Sequence, residues 1–138
     1  VFARPEPSMP PVRLIPLLAL SLLTACAQQP AHNVTLEDQS DCPQQLHVGQ
    51  QLIVSLPSNP TTGYRWSIQD SAGGVLRSLG PEVYTSSDNG QLLGSGGQST
   101  WRFQVFAPGS GRLRLTSQQP WEPEAEPAQV FDCPITVN

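Results

Sequence analysis

Trp101-Arg102-Phe103-Gln104-Val105 is the stretch that decides the fold of this chain. Large apolar side chains take every second position, and polar ones fill the gaps. Successive side chains of an extended strand point to opposite faces, so this stretch is a strand with one face in a core and the other in water. The same period recurs on both sides of it. Over residues 51–56, Leu52, Val54 and Leu56 share a face; over 64–69, Tyr64, Trp66 and Ile68 share one, opposite Arg65, Ser67 and Gln69. Leu113 and Leu115 alternate with Arg112 and Arg114, and Phe131, Cys133, Ile135 and Val137 share the inward face of the last segment. Nothing sustains the helical period of 3.6. Turn-rich stretches at 57–63, 71–74, 86–97, 108–111 and 118–128 separate these segments. Short half-polar strands at such spacing predict an all-β protein, an antiparallel β-sandwich of about seven strands. Pro134 has no N–H to give, so the last strand should have a free edge or a bulge there. The outer faces carry Arg rather than apolar residues, which moves the search for function to the loops.

The 138 residues predict a single domain, and 38% hydrophobic against 13% charged is enough for a modest core. All seven basic residues are Arg, the acids number eleven, and the formal net charge is -4. A nucleic-acid binder needs a cationic face to displace phosphate counterions, so that class is excluded. Three Cys and two widely spaced His give no zinc-cluster spacing, and no metal or cofactor is expected.

The first 25 residues read apart from the fold. Met9 gives a conventional start, Arg13 a positive charge, and residues 14–23 (LIPLLALSLL) an apolar run too short to span a bilayer as a helix. Leu23-Thr24-Ala25-Cys26 resembles the bacterial lipobox, in which the Cys is acylated and becomes the first mature residue. An ordinary signal peptide cleaved nearby is the other possibility. Two acyl chains on Cys26 would anchor the protein stably to a membrane. Ala27 after the lipidated Cys favours the outer membrane, so the expected location is the periplasmic face of a bacterial membrane. The expected plan is a signal peptide at 1–25, a lipidated Cys26 with a polar tether over 26–41, and a folded domain over 42–138. Cys42 and Cys133 remain near the two ends of that domain. An even pair in an exported chain reads as a disulfide, with two buried free thiols as the alternative.

Three loops stand out. Asn59-Pro60-Thr61-Thr62-Gly63-Tyr64 is stiffened by Pro60, and Gly63 permits a positive φ at its exit. Two small hydroxyl residues stand at its tip, and Tyr64 is expected to pack inward. Gly94-Ser95-Gly96-Gly97 exposes backbone that could pair with another extended chain. Gln119-Pro120-Trp121 offers an aromatic side chain that is either tucked onto the core edge or exposed as a contact anchor. Each alone is unremarkable as a loop.

Together, in this order, the three resemble the motifs of the chagasin family of cysteine peptidase inhibitors: an Asn-Pro-Thr-Thr-Gly-aromatic loop, a Gly-x-Gly-Gly loop and an Arg-Pro-aromatic loop. The resemblance runs from about residue 42 to the C-terminus, with Gln119 standing where the family commonly has Arg. It implies an immunoglobulin-like sandwich with the three binding loops side by side at one end. It also implies a reversible inhibitor that plugs the cleft of papain-like cysteine peptidases. Thr61, Thr62 and Gly63 would then approach the catalytic pair, Gly94–Gly97 would line one side of the cleft, and Pro120 and Trp121 the other. A monomer is expected.

Two rival classes stand beside this one. An enzyme needs a convergent nucleophile and base, and His32, His47 and the Glu122, Glu124, Glu126 run supply no recognisable set. A non-catalytic periplasmic lipoprotein on the same sandwich, an interaction or glycan-binding module using Trp121, is the alternative.

Overall fold

The computed structural model describes residues 31–86 and 96–138, and outside these only the isolated positions Ala3, Ser8 and Pro11. The leader, Cys26 included, and residues 87–95 lie outside the described residues. In chain order the strands are β1 (Asn33–Leu36), β2 (Gln44–Leu46), β3 (Gln51–Ser58), β4 (Arg65–Ser71), β5 (Leu76–Ser78), β6 (Val83–Ser86), β7 (Gly97–Val105), β8 (Gly109–Gln118) and β9 (Gln129–Val137), with 3₁₀ turns at Gln39–Asp41 and Pro60–Thr62. Nine strands among the described residues exceed the seven or so expected. The surplus comes from strands of three and four residues, too short to carry a periodic signal.

The strands form two sheets. One runs β1-β3-β7-β5, with β6 also on β7; the other runs β2-β9-β8-β4. Strands β5 and β6 lie end to end along one edge of β7, opposite residues 103–105 and 97–100 respectively. The long pairings are antiparallel, as the turn spacing predicts, but two edge strands are parallel to their neighbours: β1 to β3 and β2 to β9. The inward faces follow the alternation in the sequence. Leu52, Val54 and Leu56 of β3, Trp101, Phe103 and Val105 of β7, Leu113 and Leu115 of β8, and Phe131, Cys133, Ile135 and Val137 of β9 are all buried. Removing that apolar surface from water is the main term that holds the two sheets together. Trp66 and Trp101 meet edge to face, ring centroids 6.5 Å apart.

Three expectations are corrected. The polar tether over 26–41 is too long: β1 pairs with β3, Leu36 is fully buried, and Gln39–Asp41 forms a capped turn. Val34 and Leu36 alternate with Asn33 and Thr35, but two apolar residues in a polar segment are too short a period to stand out, so the tertiary partner reveals the strand. Tyr64 does not pack inward; it precedes β4, sits after the left-handed Gly63 and is 37% exposed. In β4 only Trp66 is buried: β4 is an edge strand, its register slips by a bulge between Ile68 and Asp70, and Ile68 is 38% exposed.

The last strand manages its proline as anticipated. Asp132 exchanges two hydrogen bonds with the side-chain amide of Gln39, at 2.7 and 2.8 Å, so its backbone points toward the β2 side. Backbone direction alternates along a strand, so the nitrogen of Pro134 points the same way. There β2 has not yet begun, because its pairing with β9 starts at Gln44↔Ile135. The missing donor therefore falls in a gap of the ladder. Beside that gap Cys42 and Cys133 are joined, with Cα atoms 5.2 Å apart. Cys42 caps the first 3₁₀ turn rather than lying on a strand, and its peptide bond to Pro43 is cis.

Candidate functional site

Register alone brings the three loops to one pole. The end of β3 pairs with the start of β7 (Ser58↔Gly97), and the start of β4 pairs with the end of β8 (Arg65↔Gln118). The end of β8 also faces the start of β9 (Ser117↔Gln129). The loops that leave these ends are residues 59–64, the segment that closes on Gly96, and residues 119–128.

The first loop is a coiled turn. Asn59 is followed by a 3₁₀ turn over Pro60–Thr62, with Pro60 at a position where no N–H is required. Thr62 N donates to Asn59 O at 3.2 Å and Gly63 N to Pro60 O at 3.0 Å. The threonine hydroxyls are used within the turn: Thr62 Oγ1 donates to Asn59 O at 2.7 Å and Thr61 Oγ1 to Asn59 Oδ1 at 2.5 Å. Gly63 ends the turn with φ 84°, a left-handed conformation that glycine adopts at no steric cost. Beneath it, Trp66 Nε1 donates to Pro57 O at 2.9 Å and fixes the strand end that carries the loop.

The second loop is only partly described, and Gly94 and Ser95 lie outside the described residues. Gly96 stands against the first loop: a Cβ there would lie 3.4 Å from Ser58 O and 3.9 Å from Asn59 Cβ. Gly97 departs from the expected open backbone. It is buried, begins β7, and is paired with Ser58 on one side and Ser86 on the other. A Cβ on it would collide with Thr85 O and come within 2.9 Å of the Tyr84 ring. Its glycine is a packing requirement, not a loop device.

The third loop carries Trp121, which is 64% exposed. Glu122 N donates to Gln119 O at 3.0 Å, so Pro120 and Trp121 form the corner of a tight turn, with Gln119 half-buried behind them. The indole lies over Gly63 of the first loop, where a Cβ would collide with Cη2. Glu122, Glu124 and Glu126 follow, all exposed.

Thus Asn59–Gly63, Gly96 and Trp121 converge. Between the first two loops lies an open recess of about 590 Å³, lined among others by Asn59, Thr62, Tyr64, Gly96 and Gln129. Gln98 and Gln129 are lining residues that the sequence did not single out. Tyr64, expected to pack inward as the end of the first motif, lines the recess instead, because it follows the left-handed Gly63 and so lies outside the strand's alternation. On the flank below, Ser40 donates to Asp38 through its hydroxyl and its amide, which holds that carboxyl below the ordinary carboxylate range. No group of three His, Cys, Asp or Glu among the described residues could hold a metal ion.

Comparison with known proteins supplies the rest. The family described as Chagasin family peptidase inhibitor I42 matches residues 45–135. Chagasin of Trypanosoma cruzi is 30% identical over 96 residues, covering 66% of this chain and 84% of that protein. A cysteine protease inhibitor from Entamoeba histolytica has the same fold, with a TM-score of 0.63 at 18% identity over 79% of this chain and all of the other. PbICP-C, solved in complex with falcipain-2, superposes with a TM-score of 0.53 at 18% identity, over 78% of this chain and all of the other.

Proposed function

We infer from one premise, that this chain belongs to the chagasin family of peptidase inhibitors, that its three-loop pole is the plug by which it closes the cleft of papain-like cysteine peptidases. The protein is a cysteine peptidase inhibitor and not an enzyme. The observation that carries the site is the convergence of the Pro60–Thr62 turn, Gly96 and Trp121 at one end of the sandwich.

The geometry explains how such a plug blocks without being cut. A peptidase cleaves a backbone laid out extended across its catalytic pair, with the carbonyl in line for attack. The Asn59–Gly63 backbone is coiled on itself by two main-chain and two hydroxyl hydrogen bonds. Presenting it as substrate would require breaking all four. Thr61 and Thr62, small and exposed at the tip, suit a narrow groove. Gly96 offers main chain on one side, and Trp121 supplies the large amphipathic anchor of the kind that dominates interface energetics on the other. The solved complex of PbICP-C with falcipain-2 supports a partner of this class. Gln119 lacks the charge of the family's Arg, so an ion pair to the target is not available at that position. Titrating papain with the purified protein tests the proposal: saturable, reversible inhibition with the inhibitor chain intact is expected. Unaltered papain activity at micromolar inhibitor would overturn it.

The finer reading is an exported monomer held at the periplasmic face of a bacterial outer membrane through lipidated Cys26. Its support is indirect. The Cys42–Cys133 bridge suits an oxidising compartment. Because β1 runs parallel to β3, the chain enters the fold at the pole opposite the three loops, where Gln51 N donates to His32 O and Gln50 Nε2 to Ala31 O. A tether at Cys26 would leave the inhibitory loops facing away from the lipid. Loss of metabolic lipid labelling in Cys26→Ser is the expected result; unchanged labelling, or none in the wild type, would remove the anchor.

A further inference from the structure

Position 63 is constrained twice, and the two constraints are separable. Its φ of 84° disfavours most side chains, though Asn tolerates that region better than others. Its open face is taken by Trp121: a Cβ would collide with Cη2 and stand 3.0 Å from Cζ3 and 3.2 Å from Cζ2. The second constraint means that any side chain, whatever its backbone preference, must displace the indole.

The benzo end of the indole therefore rests on the exit of the first loop, while 64% of the residue remains open to solvent. Each of these loops is already tied within itself, the first by its 3₁₀ turn and the third by the Glu122 N to Gln119 O bond. Neither internal tie joins one loop to the other. The Arg65↔Gln118 pairing of β4 with β8 sets their roots side by side, and beyond that pairing the Gly63–Trp121 contact is where the two loops meet.

We propose that the Gly63–Trp121 contact is a joint that sets the first and third loops as one rigid body, making Trp121 a positioning residue for the Pro60–Thr62 tip as well as a contact surface. This rests on the peptidase-inhibitor function and adds how the inhibitory pole is held in shape before it meets its target. A surface already in its bound arrangement loses less conformational freedom on association, so the joint tightens inhibition without adding a contact to the target.

A double-mutant cycle tests it, using Gly63→Asn, Trp121→Ala and their combination, with papain inhibition constants as the readout. Asn is chosen because it accepts the left-handed backbone, so that its effect reports the collision with the indole. Gly63→Ala gives the same cycle should Gly63→Asn fold poorly. With Trp121 present, Gly63→Asn is expected to weaken inhibition about tenfold or more; with Ala at 121, by less than about threefold. Acrylamide quenching of tryptophan fluorescence should rise in Gly63→Asn, a signal that belongs to Trp121 because Trp66 and Trp101 are buried. Equal penalties in the two backgrounds would overturn the joint and leave Trp121 as a contact anchor alone. If the wild type does not inhibit papain, the inhibitor function fails instead. The same cycle read by thermal denaturation then decides the joint, non-additive shifts supporting it and additive ones overturning it.

Discussion

Gly63 and Gly97 look alike in the sequence, each closing a glycine-bearing loop that leads into a strand, yet they do opposite work. Gly63 ends a turn knitted by its own hydrogen bonds, is half-buried, and owes its identity to a positive φ and to the indole above it. Gly97 lies inside the sheet, paired on both sides, and owes its identity to Thr85 O and the Tyr84 ring. One belongs to the proposed inhibitory end of the protein, called its working end below, and the other to its frame. The difference teaches that a glycine in a candidate binding loop is no mark of a binding residue until its neighbours are known.

The contrast between frame and working end can be broken or sharpened by substitution. Replacing Cys42 and Cys133 together by Ser should have the largest effect, a loss of about 2–4 kcal/mol of stability for a bridge that closes a long loop, read by urea denaturation. Inhibition should persist wherever the variant is folded; an inhibition constant that weakens in step with stability would blur the distinction. Thr61→Arg should do the reverse. A bulky charge at the exposed tip is expected to weaken papain inhibition about a hundredfold, roughly 2.7 kcal/mol, while stability changes by less than about 1 kcal/mol. A comparable loss of stability would move Thr61 from the working end to the frame.

Gly97→Ala comes next, at about 1–3 kcal/mol of stability, since its methyl must push back a strand carbonyl. Its inhibition should follow the folded fraction, which distinguishes it from substitutions at Gly63. Trp66→Phe has the smallest expected effect and falls on the boundary. It removes the 2.9 Å bond to Pro57 O, costs about 1 kcal/mol, and loosens the strand end beneath the first loop. A few-fold weaker inhibition is expected alongside the stability loss. Unchanged inhibition would show that the first loop needs no support from below.

The fold was legible where strands are long and half-buried. Residues 51–56 and 101–105 each alternate over enough positions to reveal their inward face, and the structure buries those same side chains. Legibility failed where burial depends on a partner. Leu36 belongs to a four-residue strand whose inward face exists only because β3 lies beside it. Ile68 has the right parity in β4 but sits on an edge strand, just before a bulge.

At the working end the Asn59–Gly63 motif was readable because its chemistry is local: proline, hydroxyls and a left-handed glycine act within a few residues of one another. The sequence by itself determined the long alternating strands, the stiff first turn and the pair of cysteines. It left Trp121 undecided between a tucked and an exposed side chain. Only the tertiary structure resolved that, because strand register carries the end of β8 to the start of β4 and so lays the indole on Gly63. Contacts between residues distant along the chain depend on pairing and packing, and neither leaves a trace in local composition.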